Sequence, residues 1–227
     1  MHGIGWDELF KRAEANMYRQ KLSTSPKVKS SIIQQVMQVL FEKAGWERIH
    51  SMNVASLSAA IALKMGFSEV QVAELMKVGT LHDIGKIQLA NDILTKTRSL
   101  EDAEVIEIQR HTEIGYNILS QVPEYSHLAT YVLHHHEHWN GTGYPLGLIG
   151  DEIPQPSRII AVAEAYDNMT TFRPYWPARS HQEALDEIRS EAGVRFDPEV
   201  ARVFIEEVMK QGEHDPRAFK STTEEEV

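Results

Sequence analysis

A chain of 227 residues carries one ordinary domain, and 23 Lys+Arg against 33 Asp+Glu leave it at a net charge of −10. So acidic a surface excludes the basic face needed to track a long nucleic acid. With no cysteine there is no disulfide, no thiolate zinc site and no cysteine nucleophile, which fits a reducing cytoplasm. No apolar run approaches the roughly 18 residues of a membrane span, so direct membrane insertion is not expected.

Taken in chain order, the periodicity predicts helices, and sustained apolar/polar alternation is absent. Residues 6–21 read as a charged amphipathic helix, followed by a polar break at 22–29 that holds Ser, Thr and Pro. Ile33, Val36, Leu40 and Phe41 mark a helix over 30–44. A further helix over 46–65 is closed by Gly66, and Ser68 caps the next, which runs toward His82. Ser99-Leu100-Glu101-Asp102 reads as a capping box. The helix it opens carries Val105, Ile108, His111, Gly115 and Ile118 on one stripe, which predicts a buried His111. Residues 124–138 read as helix, 139–151 as a Gly/Pro loop, and 155–171, 180–191 and 198–211 as helices. The acidic tail from 213 lacks the apolar residues to fold on its own. The expectation is an all-α fold with a metal site in the core of a helix bundle. Its main domain spans 26–212, between a helix and linker at 1–25 and the tail at 213–227.

Eleven histidines are the feature that composition alone does not explain. Four lie between His134 and His138, in a run that ends in the turn Gly141-Thr142-Gly143-Tyr144-Pro145. A solvated helix face is the bland reading of such a run. Because neighbouring helical residues point about 100° apart, His135 and His136 can serve one cluster only at their shared edge or where the helix ends. His82-Asp83 offers an imidazole and a carboxylate, and Lys86 behind it offers a cation for a phosphate. His50 and His111 sit on apolar stripes, where a lone histidine is usually a satisfied core residue. Four separated histidine positions facing inward instead suit a metal cluster. Glu164 and Asp167 lie three apart on one face of an apolar helix, a costly arrangement for carboxylates without partners.

Together these residues resemble an HD-GYP domain, a branch of the HD-type metal phosphohydrolases associated with cyclic di-GMP hydrolysis. The resemblance covers 50–204 and rests on His50, HDIGK at 82–86, His111 with Gly115, HHE and GYP between 135 and 145, and Arg173-Pro174-Tyr175. It implies one divalent metal on His50, His82, Asp83 and Glu164. A second would share Asp83 and take His111, His135 and His136. Iron or manganese is favoured, with zinc, nickel or cobalt allowed. It implies Asp83 and Lys86 as catalytic residues, and substrate contacts from Lys86, Tyr144 and Arg173. The implied activity is hydrolysis of cyclic di-GMP to pGpG, and to GMP where hydrolysis continues. Residues 8–21 resemble the last helix of a GGDEF domain, which implies an upstream GGDEF or sensor domain of the same protein as a partner. A homodimer is also compatible.

The sequence departs from the family pattern at four places. Glu164 stands where the family usually has Asp. Some members carry a Glu four residues before the first histidine that supports a third metal. Here that position is Trp46, with Glu47 one residue off, so two metals are expected. Trp176 replaces a Lys or Arg after Arg-Pro-Tyr, and Asn140 replaces the Asp of Trp-Asp-Gly. Glu164 and Trp176 support an alternative, a degenerate domain that binds without turnover as a receptor or interaction module. A phosphohydrolase acting on another nucleotide is the remaining reading.

Overall fold

Helix α1 (Pro26–Lys43) begins inside the stretch read from sequence as a polar break. Proline has no N–H to lose at a first helical position, so Pro26 opens this helix rather than ending a linker. The computed structural model describes residues 26–94, 96, 100–171 and 177–209. The GGDEF-like segment, the acidic tail, Arg173 and Trp176 lie outside the described residues.

The first three helices form a buried wall. On α1, Ile33, Met37 and Leu40 face inward, with Val36 and Phe41 at the margin. Helix α2 (Gly45–Lys64) buries His50, Val54, Leu57 and Ile61 along one stripe. It stops at Gly66, whose φ of 80° suits a residue without Cβ. Helix α3 (Glu69–Leu81) starts at Ser68 in a reciprocal capping box with Gln71. A 3-10 turn, Ile84–Gln88, and the short α4 (Asn91–Leu94) follow.

The helix expected from the 99–102 box through Ile118 is two helices. Helix α5 (Asp102–Gln109) is capped by Glu101 with Glu104, and α6 (His111–Ser120) restarts after Arg110. Side chains cause the break. The Ile108 carbonyl accepts from His111 Nδ1 at 2.6 Å, and the Gln109 carbonyl from Thr112 Oγ1 at 3.1 Å. Both carbonyls would otherwise serve the next turn of helix. Nothing on α5 is buried, and Ile106 is 62% exposed. His111 therefore reaches the interior as the start of α6, whose buried face is His111, Thr112, Gly115 and Leu119.

The helix expected over 124–138 shrinks to α7 (Ala129–Leu133), and His134–His136 leave it as a turn. Helix α8 (Gln155–Thr170) crosses the middle, with Ile159, Ile160, Val162, Ala163 and Tyr166 buried against α2 and α9 (His181–Ser190). Helix α10 (Pro198–Val203) is capped by Asp197 and passes into a π-helical turn, Phe204–Val208, within the single helix expected there. Phe204 stacks edge-on against Tyr166 at 5.1 Å. No strand forms among the described residues; the isolated bridges Asn140–Ile149 and Ala192–Phe196 tie loops. No helix among them is long and apolar enough to cross a membrane.

Candidate metal centre

Three helix ends deliver histidines to one point. His82 follows α3, His111 follows α5, and His135 follows α7. Each donates Nδ1–H to the carbonyl three residues back: Gly79 at 2.8 Å, Ile108 at 2.6 Å and Val132 at 2.6 Å. The last carbonyls of a helix lack intrahelical partners, so these contacts satisfy acceptors that the helix ends expose. His50 comes from the middle of α2, and its Nδ1 lies 2.7 Å from Asp167 Oδ2 on α8.

This bonding fixes the chemistry of the rings. A carbonyl only accepts, so Nδ1 carries the proton and the neutral ring offers Nε2 as a bare lone pair. The Nε2 atoms of His111 and His135 then face each other at 3.3 Å. Two lone pairs at that distance repel unless a cation lies against both. Nε2 of His50 and of His82 are buried without a hydrogen bond, as is Asp83 Oδ1. Orphaned ligand atoms at the centre of a well-packed domain fit a divalent cation better than any protein partner.

The potential ligands fall into two groups. His50, His82, Asp83 and Glu164 form one, and His111, His135 and His136 the other; within each, one ligand atom per residue lies within 4.8 Å of the rest. Asp83 links the two. Its Oδ2 is 3.0 Å from His82 Nε2 and 3.7 Å from His50 Nε2, while Oδ1 is 3.3 Å from His111 Nε2. His136 Nε2 reaches Glu164 Oε1 at 3.9 Å.

Electrostatics keep the donors in ligand form. Burial opposes the charged form of Asp83 and Glu164, but the surrounding imidazoles, and Lys86 beside Asp83, outweigh it. Both carboxyls are held well below the usual carboxylate range. Burial pushes His111 down to about 3 and lowers His135 and His136 as well. His82 is the exception, since the charges of Asp83 and Glu164 overcome its burial and raise it to about 9. On Asp167, hydrogen bonds from His50, Thr171 and Asn53 outweigh burial and lower the pKa.

Lys86 and Tyr144 stand at the edge of this cluster. Lys86 Nζ is 2.6 Å from Asp83 Oδ2 and 3.0 Å from Glu47 Oε1. Tyr144 stacks on His136, with ring centroids 4.9 Å apart and planes 26° apart. Two glycines permit the close approaches this requires. A Cβ on Gly85 would lie 1.9 Å from the His111 carbonyl oxygen, and one on Gly143 would lie 2.2 Å from the His138 nitrogen. Both obstacles are backbone, which cannot move aside as a side chain can. The buried Glu137 accepts from Leu146 N at 2.8 Å and Leu148 N at 3.1 Å, pinning the loop that presents Tyr144.

Of the residues expected from sequence, the structure brings together His50, His82, Asp83, His111, His135, His136 and Glu164, with Lys86 and Tyr144 beside them. Arg173 is outside the described residues. The question left open for His135 and His136 has a structural answer: the helix ends at Leu133, so both rings turn to the same side. Asn140, where the family has Asp, accepts from Thr142 N at 3.0 Å and Thr142 Oγ1 at 2.7 Å, a turn that needs only a side-chain oxygen. Sequence reasoning missed the parts that Glu47, Asp167 and Glu137 play in holding Lys86, His50 and the loop. One signal was available for Glu47: it precedes His50 by three residues, which is one face of a helix.

Comparison with known proteins agrees with this architecture. A family model described as HD domain matches residues 27–200. A cyclic di-GMP phosphodiesterase from Thermotoga maritima is 42% identical over 158 residues, which are 69% of this chain and 43% of that protein. A 3'3'-cGAMP-specific phosphodiesterase from Vibrio cholerae is 34% identical over 176 residues, 77% of this chain and 41% of that one. The chain thus spans about two fifths of the length of these curated relatives. Among solved structures, an HDG"Y"P protein from Bdellovibrio bacteriovorus superposes with a TM-score of 0.60 at 17% identity, over 82% of this chain and 62% of that one, a likeness of fold. The family match covers the ends of α3, α5 and α7 that supply the clustered histidines, together with α2 and α8 on either side, and the chain belongs to the HD domain family.

Proposed function

We propose that this chain is a metal-dependent phosphodiesterase that hydrolyses cyclic di-GMP to pGpG, and to GMP where hydrolysis continues. One observation carries the reading: two groups of ligand atoms meet at Asp83, with bare imidazole nitrogens turned inward and a lysine at the rim. The likeness to the Thermotoga cyclic di-GMP phosphodiesterase supports the choice of substrate.

His50, His82, Asp83 and Glu164 would hold one divalent cation, and His111, His135 and His136 a second, with Asp83 shared. Bound there, the cations supply Lewis acidity, which generates a water nucleophile near neutral pH and offsets charge on the phosphoryl group. Imidazole and carboxylate donors favour iron or manganese and admit zinc, nickel or cobalt. The chain's own groups do the remaining work. Lys86 offers an ammonium to a phosphate oxygen, and Arg173 is the second cation of this reading. Burial above all, with the charges of Glu164 and Asp83, raises the Tyr144 pKa, so its hydroxyl stays protonated as a hydrogen-bond donor. Buried histidine rings and the GYP loop exclude bulk water from the reacting phosphate.

A second substrate has a specific observation in its favour, the 34% identity to a relative named as 3'3'-cGAMP-specific. The deciding experiment is anaerobic: the protein is stripped of metal, reloaded with Fe(II) or Mn(II), and given both dinucleotides. Turnover of cyclic di-GMP with about two metals per chain is the expected result. Faster turnover of 3'3'-cGAMP would reassign the substrate, and binding without cleavage would make the domain a receptor. If a His82→Ala, Asp83→Ala double variant kept metal and activity, the site assignment would be wrong.

A further inference from the structure

Glu47 is fully buried, yet only one of its carboxylate oxygens has a protein partner. Oε1 accepts from Lys86 Nζ at 3.0 Å, and Oε2 is left without a hydrogen bond. A buried charged group with an unsatisfied oxygen weakens a fold rather than strengthening it. Its neighbour Trp46 presents its ring to the same ammonium at 5.3 Å. Asp83 supplies the third contact at 2.6 Å. The lysine is therefore held from α2 by a carboxylate and an aromatic face, and from its own 3-10 turn by Asp83.

We propose that Glu47 is a positioning residue for substrate binding, acting through Lys86. With Trp46 it fixes the ammonium where a phosphate of a cyclic dinucleotide meets it. The inference rests on the phosphodiesterase reading. Lysine carries its charge on a flexible four-carbon stem and loses about 2 kcal/mol of rotamer entropy when fixed. Glu47 and Trp46 impose that order before substrate arrives, so binding does not have to. Two effects compete when the Glu47 charge is removed. The ammonium becomes freer to wander, which weakens binding. It also loses a neutralising neighbour, which would strengthen attraction to phosphate. Asp83 remains at 2.6 Å in either case, so no bare cation appears, and the loss of order decides the outcome.

The test compares wild type, Glu47→Gln, Lys86→Met and the double variant, all loaded with the same metal. Glu47→Gln is expected to raise KM for cyclic di-GMP about tenfold, one charge-assisted contact's worth, with kcat changed less than about threefold. Metal content is expected to stay at the wild-type level. In the Lys86→Met background, Glu47→Gln is expected to add nothing, since its only route is then gone. An unchanged or lower KM would overturn the proposal. A further rise in KM in the Lys86→Met background would also overturn it, because Glu47 would then act on its own. Loss of metal from Glu47→Gln would make Glu47 a ligand and overturn it as well. Absence of turnover in wild type would instead fail the phosphodiesterase reading, and the same four proteins would be ranked by Kd for cyclic di-GMP, with the same expected order.

Discussion

Asp167 shows how much of this site lies one bond away from the ligands. Its carboxylate binds His50 Nδ1 at 2.7 Å and is itself held by Asn53 at 2.8 Å and Thr171 at 2.7 Å. A carboxylate in that position fixes the tautomer and makes the opposite nitrogen a better ligand. Asp167→Asn keeps the shape and removes the charge. Metal affinity is expected to fall about 10- to 100-fold, read by competition with a chromophoric chelator. The melting temperature of the metal-free protein should move little, because Asn can still accept one hydrogen bond. Unchanged affinity would mean that His50 is oriented by packing alone. Among the residues that carry chemistry, the histidines and Asp83 were legible in sequence because few other roles explain them. Asp167 was visible only as the partner of Glu164 on a helix face. Its true contact is 117 residues away in sequence, which no local pattern encodes.

At the scale of elements, the site is a set of interrupted helices. Long periodic helices such as α2 and α8 were readable because their apolar stripes repeat at 3.6 residues. The breaks at Arg110 and after Leu133 were not. They depend on histidine side chains taking helix-end carbonyls, and periodicity does not record that competition. The 3-10 turn behind His82-Asp83 depends on a contact equally invisible in sequence, Gly85 lying against α6. Gly85→Ala would place a Cβ 1.9 Å from the His111 carbonyl oxygen and 2.7 Å from the Gly115 nitrogen. Helix α6 must then retreat, carrying His111 away from Asp83. The expected loss is on the order of 3 kcal/mol, measured by denaturant titration, together with loss of bound metal. Gly45→Ala is the matched control. A Cβ there meets nothing within 4 Å, and the residue opens α2, so stability should hold or rise by up to about 1 kcal/mol. Equal losses in the two variants would show that crowding at Gly85 is not the cause.

At the scale of the molecule, the ligand groups draw on segments from His50 to Glu164 and so join α2, the ends of α3, α5 and α7, and α8. A cation bound to them cross-links elements far apart in sequence, and the unfolded chain cannot offer the same arrangement. Such a ligand stabilises by mass action: at a free concentration of 100 Kd the gain is about 2.7 kcal/mol. For a domain of this size, each kcal/mol corresponds to roughly 2–4 °C in melting temperature. Chelation is therefore expected to lower the melting temperature by about 5–10 °C, and re-addition of Mn(II) to restore it. The effect should be absent in the His82→Ala, Asp83→Ala double variant, where both ligand groups lose their common member. The variant itself isolates the electrostatic part. If the metal-free wild type already melts at the temperature of the loaded form, hydrophobic packing around α8 holds the ligands without help, and the cation contributes chemistry alone. A fall on chelation confined to the wild type would instead show that one centre fastens the helices together and positions the groups that meet substrate.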